Sequence, residues 1–318
     1  MLPYIGRRLL ATIPVMAVVA VVVFSLLRLT AGDPAAIIAG DNATSADVEA
    51  IRAHLGLDRP LVEQFVIWLG RILRGDFGES FFFKKQVSQL ILDRVEPTLA
   101  LATTTLLLTI AVSIPLGVLA AWKRGTWIDR AVMSFSVLGF SVPVFVIGYA
   151  LIYLFAIELA WLPVQGYQRL ADGVGGFLAR LVLPSVTLAV VFVALIARIT
   201  RASVLEVLNA DHVRTARAKG LGELPVLLRH VLRNAAVPIV TVIGIGVAVL
   251  IGGVVVTESV YGIPGLGRLT VDAVQARDYP TVQAVILLFS VAYVLINLLV
   301  DVSYSILDPR IRIRGAGP

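Results

Sequence analysis

The chain has 318 residues, 58% hydrophobic and 15% charged, with a formal net charge of +6. These proportions lie far from the soluble globular average and define a polytopic membrane protein. Cysteine is absent, which excludes a disulfide framework, a thiol nucleophile and a Cys-based metal site.

Six charge-free runs occupy residues 9–27, 98–122, 131–157, 181–197, 235–257 and 279–300. Each is near the roughly 20 residues needed to cross about 30 Å of hydrocarbon. The pattern predicts an all-α membrane protein of six transmembrane helices. The first run follows Arg7 and Arg8 as a signal peptide would, but it is longer than the usual apolar core and no small-x-small cleavage site follows, so it reads as an uncleaved span. The chain divides into an N-terminal helix (1–30), an exoplasmic segment (31–97) and a five-helix core (98–318) carrying the loop 198–234 and a tail.

Within 31–97, Val48, Ile51 and Leu55 repeat at helical spacing after a Thr44–Asp47 capping pattern. Leu61, Phe65, Trp68, Leu69, Ile72 and Leu73 do the same after Pro60. Two short amphipathic helices are predicted, lying on the membrane or against neighbouring spans. The "RGDFGES" that follows is turn chemistry.

Inside the spans, Pro14, Pro115, Pro143, Pro184 and Pro238 fall in five of the six runs and predict kinked helices. No Asp, Glu, Lys, Arg or His lies in any run, whereas ion-coupled carriers commonly place ionisable groups at mid-depth. The energy for any transport is expected to come from outside the chain. A lone ion-coupled carrier using backbone and hydroxyl groups stays open as an alternative, as does a scaffold without transport.

Lys and Arg concentrate at the N-terminus (Arg7, Arg8), in 123–130, in 198–234 and in the tail (Arg310, Arg312, Arg314), all on one side of a six-span layout. The positive-inside rule makes that side, with both termini, cytoplasmic. It also accounts for the net charge without nucleic acid.

No Gly-x4-Gly-Lys-Ser/Thr phosphate loop is present. The glycine-rich stretch 262–270 lacks the lysine, and the glycines of 244–253 sit in a span, where they permit close helix packing. His54, His212 and His230 have no partner at metalloprotease spacing. Neither cofactor, metal nor catalytic residue is expected.

Residues 211–224, "DHVRTARAKGLGEL", form a basic, small-residued segment in the long cytoplasmic loop. Asn209 or Asp211 is placed to cap a helix of about two turns, ended by Gly220 with Gly222. A helix that short is marginal unless it docks. Ala216, Ala218 and Gly220 allow close approach; Arg214, Arg217 and Lys219 offer charged contacts. The residues alone leave a surface helix of a basic loop and a docking element equally open.

Residues 211–238 resemble the cytoplasmic loop of ABC importer permeases, whose Glu-Ala-Ala-x3-Gly pattern seats in a groove of the ATPase. Aligned at Gly220, the pattern falls on Arg214, Thr215 and Ala216 and is met at one of three positions; Leu232-Arg233 also stands where many permeases have Leu-Pro. Those departures are similar to the peptide-importer branch, which reads Arg-Thr-Ala-Arg-Ala-Lys-Gly. "GDFGESF" (75–81), residues 258–283 beginning "ESVYGIPGLGRL", and "NLLVDVSYSILDPRIR" (297–312) resemble the same branch. The chain is thus similar to permeases of the dipeptide/oligopeptide/nickel ABC importer family.

The resemblance implies a subunit of the bacterial inner membrane, paired with a homologous second permease, two cytoplasmic ATPases holding ATP and magnesium, and an extracytoplasmic binding protein. It implies a peptide substrate, with glutathione, nickel chelates or sugars as competitors. The coupling helix would comprise Asp211, Arg214, Thr215, Ala216, Arg217, Ala218, Lys219, Gly220, Leu221 and Gly222. An exoplasmic turn with Glu258, Tyr261, Gly262, Pro264, Gly265 and Gly267 would lie near the substrate path or the binding protein.

Overall fold

A computed structural model describes residues 2–29, 35–36 and 44–307. The basic tail expected from Arg310, Arg312 and Arg314 lies outside them, as do the side chains of Arg7, Asp47, Ile51, His54 and Leu55. Among the described residues the structure is helical, with one isolated antiparallel bridge, Glu79 to Gln86.

The helices are α1 (Leu2–Leu29), α2 (Ser45–Leu55), α3 (Leu61–Leu73), α4 (Val87–Trp122), α5 (Trp127–Ser141), α6 (Val144–Leu151), α7 (Val174–Leu208), α8 (Asp211–Ala218), α9 (Ala236–Val260), α10 (Leu266–Gln275) and α11 (Tyr279–Leu307). By length and hydropathy α1, α4, α7, α9 and α11 can each cross a membrane, and α5 with α6 and its extension forms a sixth, bent candidate.

That bent pair corrects the expectation of one kinked helix over 131–157. The chain breaks at Val142 (φ −93°, ψ 128°) and Pro143, and the two halves diverge by 104°. Proline clashes with an α-conformation at the residue before it, which pushes Val142 into extended backbone and stops α5. Beyond α6 the turns widen to i→i+5 over Ile152–Glu158. Pro14, Pro115 and Pro184 lie inside continuous helices. Pro238 instead occupies the first turn of α9, where its missing N–H leaves nothing unpaired.

The chain forms two compact units. The first comprises Met1–Ile5, Glu96–Arg268 and Leu295–Pro318. Its centre is α7, which packs against α5, α6 and α9. Leu181, Leu188 and Phe192 of α7 share a core with Leu101, Ile152, Leu250 and Val254. A second core joins Ala121, Val204, Val213, Val226, Val231 and Ile239 beneath the loop after α7. The span glycines do serve packing: a Cβ at Gly253 would lie 3.0 Å from Leu188, and one at Gly244 would overlap Val300.

The second unit comprises Gly6–Val95 and Leu269–Val294. Both amphipathic helices form where the sequence places them, with Pro60 directly before α3. Phe24 of α1 packs edge-on to Phe65 and tilted to Trp68 of α3, at 5.1 and 5.5 Å between centroids. The turn at Gly75 and Gly78 adopts positive φ, with Gly78 N–H donating to Asp76 Oδ1 at 2.9 Å. Asp278, buried, accepts from the Ser80 hydroxyl and from Thr281 Oγ1 at 2.7 Å.

Candidate functional site

The loop between α7 and α9 is a built element. Ala210 (φ −72°, ψ 147°) precedes α8 with no side-chain cap, correcting the expected role of Asn209 or Asp211. Asn209 ends α7, and its Nδ2 donates to Leu205 O at 3.1 Å; Asp211 is the first helical residue. At the other end Leu221 N–H donates to Ala216 O at 3.3 Å and Gly220 N–H to Arg217 O at 2.9 Å. This pair of bonds around a left-handed residue is the Schellman stop, and Gly220 has φ +81°. Gly222 does not share that role: its φ is −64°, and it precedes the next helical segment, 223–234.

Two residues fasten α8 to the chain. Val213 and Ala216, one turn apart, are buried with Val204, Val226 and Val231. Ala216 therefore lies on the inner face of α8, and its small side chain lets the helix approach the chain closely. Asp211, Arg214, Thr215, Arg217, Ala218, Lys219, Gly220, Leu221 and Gly222 are all exposed. Arg217 holds Glu223 with two bonds, Nε–Oε1 at 2.9 Å and Nη2–Oε2 at 3.1 Å, bracing the turn at Gly220. Arg214 lies 3.6 Å from Asp211, both strongly exposed. Leu221, Leu224 and Leu228 are exposed beside this basic face.

The turn after α9 is packed rather than displayed. Glu258 is wholly buried; its Oε1 accepts from Thr98 Oγ1 at 2.6 Å and its Oε2 from Arg268 N–H at 2.9 Å. Thr98 Oγ1 in turn accepts from Leu266 N–H at 2.8 Å. A Cβ on Gly265 would overlap the Glu258 carboxylate, and one on Gly267 would lie 2.6 Å from Val255 Cα. Those glycines supply space, whereas Gly262 supplies a left-handed φ of +61°. Tyr261 is buried, its hydroxyl 2.7 Å from Thr187 Oγ1 and 3.3 Å from Gly148 O. Of Glu258, Tyr261, Gly262, Pro264, Gly265 and Gly267, Pro264 alone is exposed.

Two features escaped sequence reasoning. Asp129 at the start of α5 is buried and receives a fork from Arg201 of α7, at 2.5 and 2.8 Å, with Gly125 N–H donating to it at 3.0 Å. Thr98 is the second, since nothing in its own neighbourhood names a carboxylate far along the chain. Among the described residues no cluster of three His, Cys, Asp or Glu could hold a metal ion.

The described residues thus form a helical core of candidate membrane spans, with a short helix packed under the end of its central helix. The inner membrane components of binding-protein-dependent transport systems match residues 113–313, and the N-terminal component of the same systems matches 1–102. The chain belongs to this family and is a multi-pass, non-catalytic permease of the inner membrane. It is 56% identical over 309 residues to the probable peptide ABC transporter permease protein y4tP of Sinorhizobium fredii, covering 97% of this chain and 99% of that one. It is 45% identical over 312 residues to the glutathione transport system permease protein GsiC of Escherichia coli, covering 98% and 99%. Its fold is similar to a chain of the inward-facing MetNI methionine ABC transporter, at TM-score 0.55 and 19% identity, over 69% of this chain and 97% of that one.

Proposed function

We propose that the chain is the permease of an ATP-driven importer of di- or oligopeptides, moved by ATPases that dock on α8. The observation that carries this reading is the mounting of α8. Val213 and Ala216 sit in the core that holds the end of α7 and the start of α9, so a push on the exposed face moves both spans. The exposed Arg214, Lys219 and Leu221 suit a groove with acidic and apolar walls. ATP and magnesium belong to two separate cytoplasmic ATPases. A homologous second permease completes the membrane path, and an extracytoplasmic binding protein delivers substrate.

Both termini and the segments 123–130 and 198–234 are cytoplasmic, because the basic residues gather there. The turn with Glu258, Tyr261, Gly262, Pro264, Gly265 and Gly267 forms a rigid exoplasmic shelf by the path. Peptide is favoured over glutathione by the name of the relative that is 56% identical, against 45% for GsiC.

The test is ATP hydrolysis by the reconstituted complex across a panel of loaded binding-protein ligands. Stimulation by dipeptides or oligopeptides is expected. Stimulation by glutathione alone would reassign the substrate, and uptake by this chain without ATPases would overturn the reading.

A further inference from the structure

Within the second unit a cavity of 610 Å³ opens among the end of α1, α2, α3, the turn 76–86 and the start of α11. Three arginines, Arg28, Arg59 and Arg71, and two carboxylates, Asp76 and Glu79, line it. Two of the arginines have acidic neighbours, Arg59 with Glu63 at 2.7 Å and Arg71 with Asp76 at 3.5 Å. Arg28 has only neutral acceptors among the described residues. Its Nε and Nη2 donate to Gln64 Oε1, its Nη1 donates to Phe24 O at 2.9 Å, and its guanidinium lies 3.5 Å from the Phe24 ring centroid. Among the described residues three of its five guanidinium N–H groups are thus engaged, all by neutral acceptors. A part-buried cation with neutral partners leaves a site that an anion completes.

The surroundings identify the anion. The apolar stretch of α1 runs Arg8–Leu26, so Arg28 stands two residues beyond it, roughly 3 Å along the helix axis. That is headgroup depth. The contacts of Phe24 with Phe65 and Trp68 hold α3 at the same level. On its other side α3 exposes Val62, Val66 and Leu73, at 76%, 61% and 79%. Aliphatic residues in one stripe on a helix fixed at that depth face lipid rather than water. The cavity wall adds Ile67, Trp68 and Ile72, an apolar surface beside the charge.

We infer that this cavity is a phospholipid site, with Arg28 holding the headgroup phosphate and Ile67, Trp68 and Ile72 of the cavity wall flanking an acyl chain. Guanidinium and phosphate match as a planar fork to a tetrahedral anion, and the part-buried location strengthens the pair. The site would fasten the interfacial helices to the bilayer, independently of which substrate the transporter carries.

The experiment uses the assembled transporter purified from membranes containing phosphatidylglycerol, exchanged into lipid-free detergent, and assayed for retained phosphatidylglycerol per complex. Arg28→Gln is expected to retain roughly tenfold less than the parent, the loss expected for one charge-assisted hydrogen-bonded contact. Arg28→Lys should fall between, and Arg59→Gln, which removes a paired arginine of the same cavity, should stay near the parental value. Ala53→Trp narrows the cavity with Arg28 intact and should also lower retention, which covers the case in which Arg28→Gln does not assemble. Equal retention in the parent, Arg28→Gln and Ala53→Trp would overturn the inference. Displacement of the lipid by millimolar inorganic phosphate would assign the site to a free anion and overturn the lipid reading.

Discussion

Gly220 and Gly125 make a controlled pair. Their φ values are +81° and +78°, and a Cβ at either meets no atom of the chain within 4 Å. Valine at either position therefore carries the same left-handed backbone cost, about 1–2 kcal/mol, and no internal clash. What differs is the surface: Gly220 ends α8, and Gly125 lies in the loop before α5. We expect Gly220→Val to insert normally but to lose peptide uptake and the stimulation of ATP hydrolysis by loaded binding protein, with Gly125→Val much milder. The reverse order in an uptake assay would place the coupling element in the wrong loop. Gly265 fails differently, since its cost is space. Gly265→Ala should destabilise the chain by about 1–3 kcal/mol, the range for an overpacked site. Adding Glu258→Ala removes the overlapped carboxylate, so the double variant should unfold at a higher temperature than the sum of the single changes implies. Strict additivity would show that the overlap is relieved elsewhere. The helix end at Gly220 was legible because a glycine stop is a local rule. The partner of Glu258 was not, because Thr98 lies 160 residues away and nothing local marks either as buried.

Hydropathy sees length, so the long apolar run 131–157 read as a single helix. The break at Val142 and Pro143 was present in the sequence as one proline among five, and only the packing of α5 and α6 on α7 separates it from the prolines that helices absorb. The charged clasp between α5 and α7 was hidden for a related reason: Asp129 and Arg201 flank apolar runs and look like ordinary loop charges. In the structure their side chains are 7% and 22% exposed, and the fork fixes the N-terminal end of α5 against the helix that leads to α8. Removing Arg201 leaves the buried Asp129 carboxylate without its ion pair, at a cost of up to about 3–5 kcal/mol, and removing Asp129 costs less because Arg201 is half-buried. Asp129→Asn and Arg201→Gln should each lower the unfolding midpoint of the purified complex. The double variant should fall well short of their summed loss. Two small and additive effects would mean that water already screens the pair.

For the whole molecule the bend between α5 and α6 raises a question of parity. If the pair crosses the membrane, the loop at 123–126 and the segment 159–173 face opposite sides, and 123–126 shares a side with α8. If the pair turns back, 123–126 and 159–173 share a side, and the two basic cytoplasmic loops are separated. We propose that it crosses, on the ground of charge: Lys123 and Arg124 precede the pair, Arg214, Arg217 and Lys219 follow α7, and the positive-inside rule expects both groups on the cytoplasmic side. The cysteine-free chain permits a direct measurement, since a single introduced thiol has no background. Ala171, Thr126 and Lys219 are exposed and suit such probes. An impermeant maleimide added to spheroplasts should label Ala171→Cys and leave Thr126→Cys and Lys219→Cys unlabelled until the membrane is permeabilised. Labelling of Thr126→Cys together with Ala171→Cys, with Lys219→Cys still protected, would make the bent pair a re-entrant element and leave five crossings. In that arrangement α8 could still meet the ATPases, but the N-terminus and the end of α11 would lie on opposite faces of the membrane.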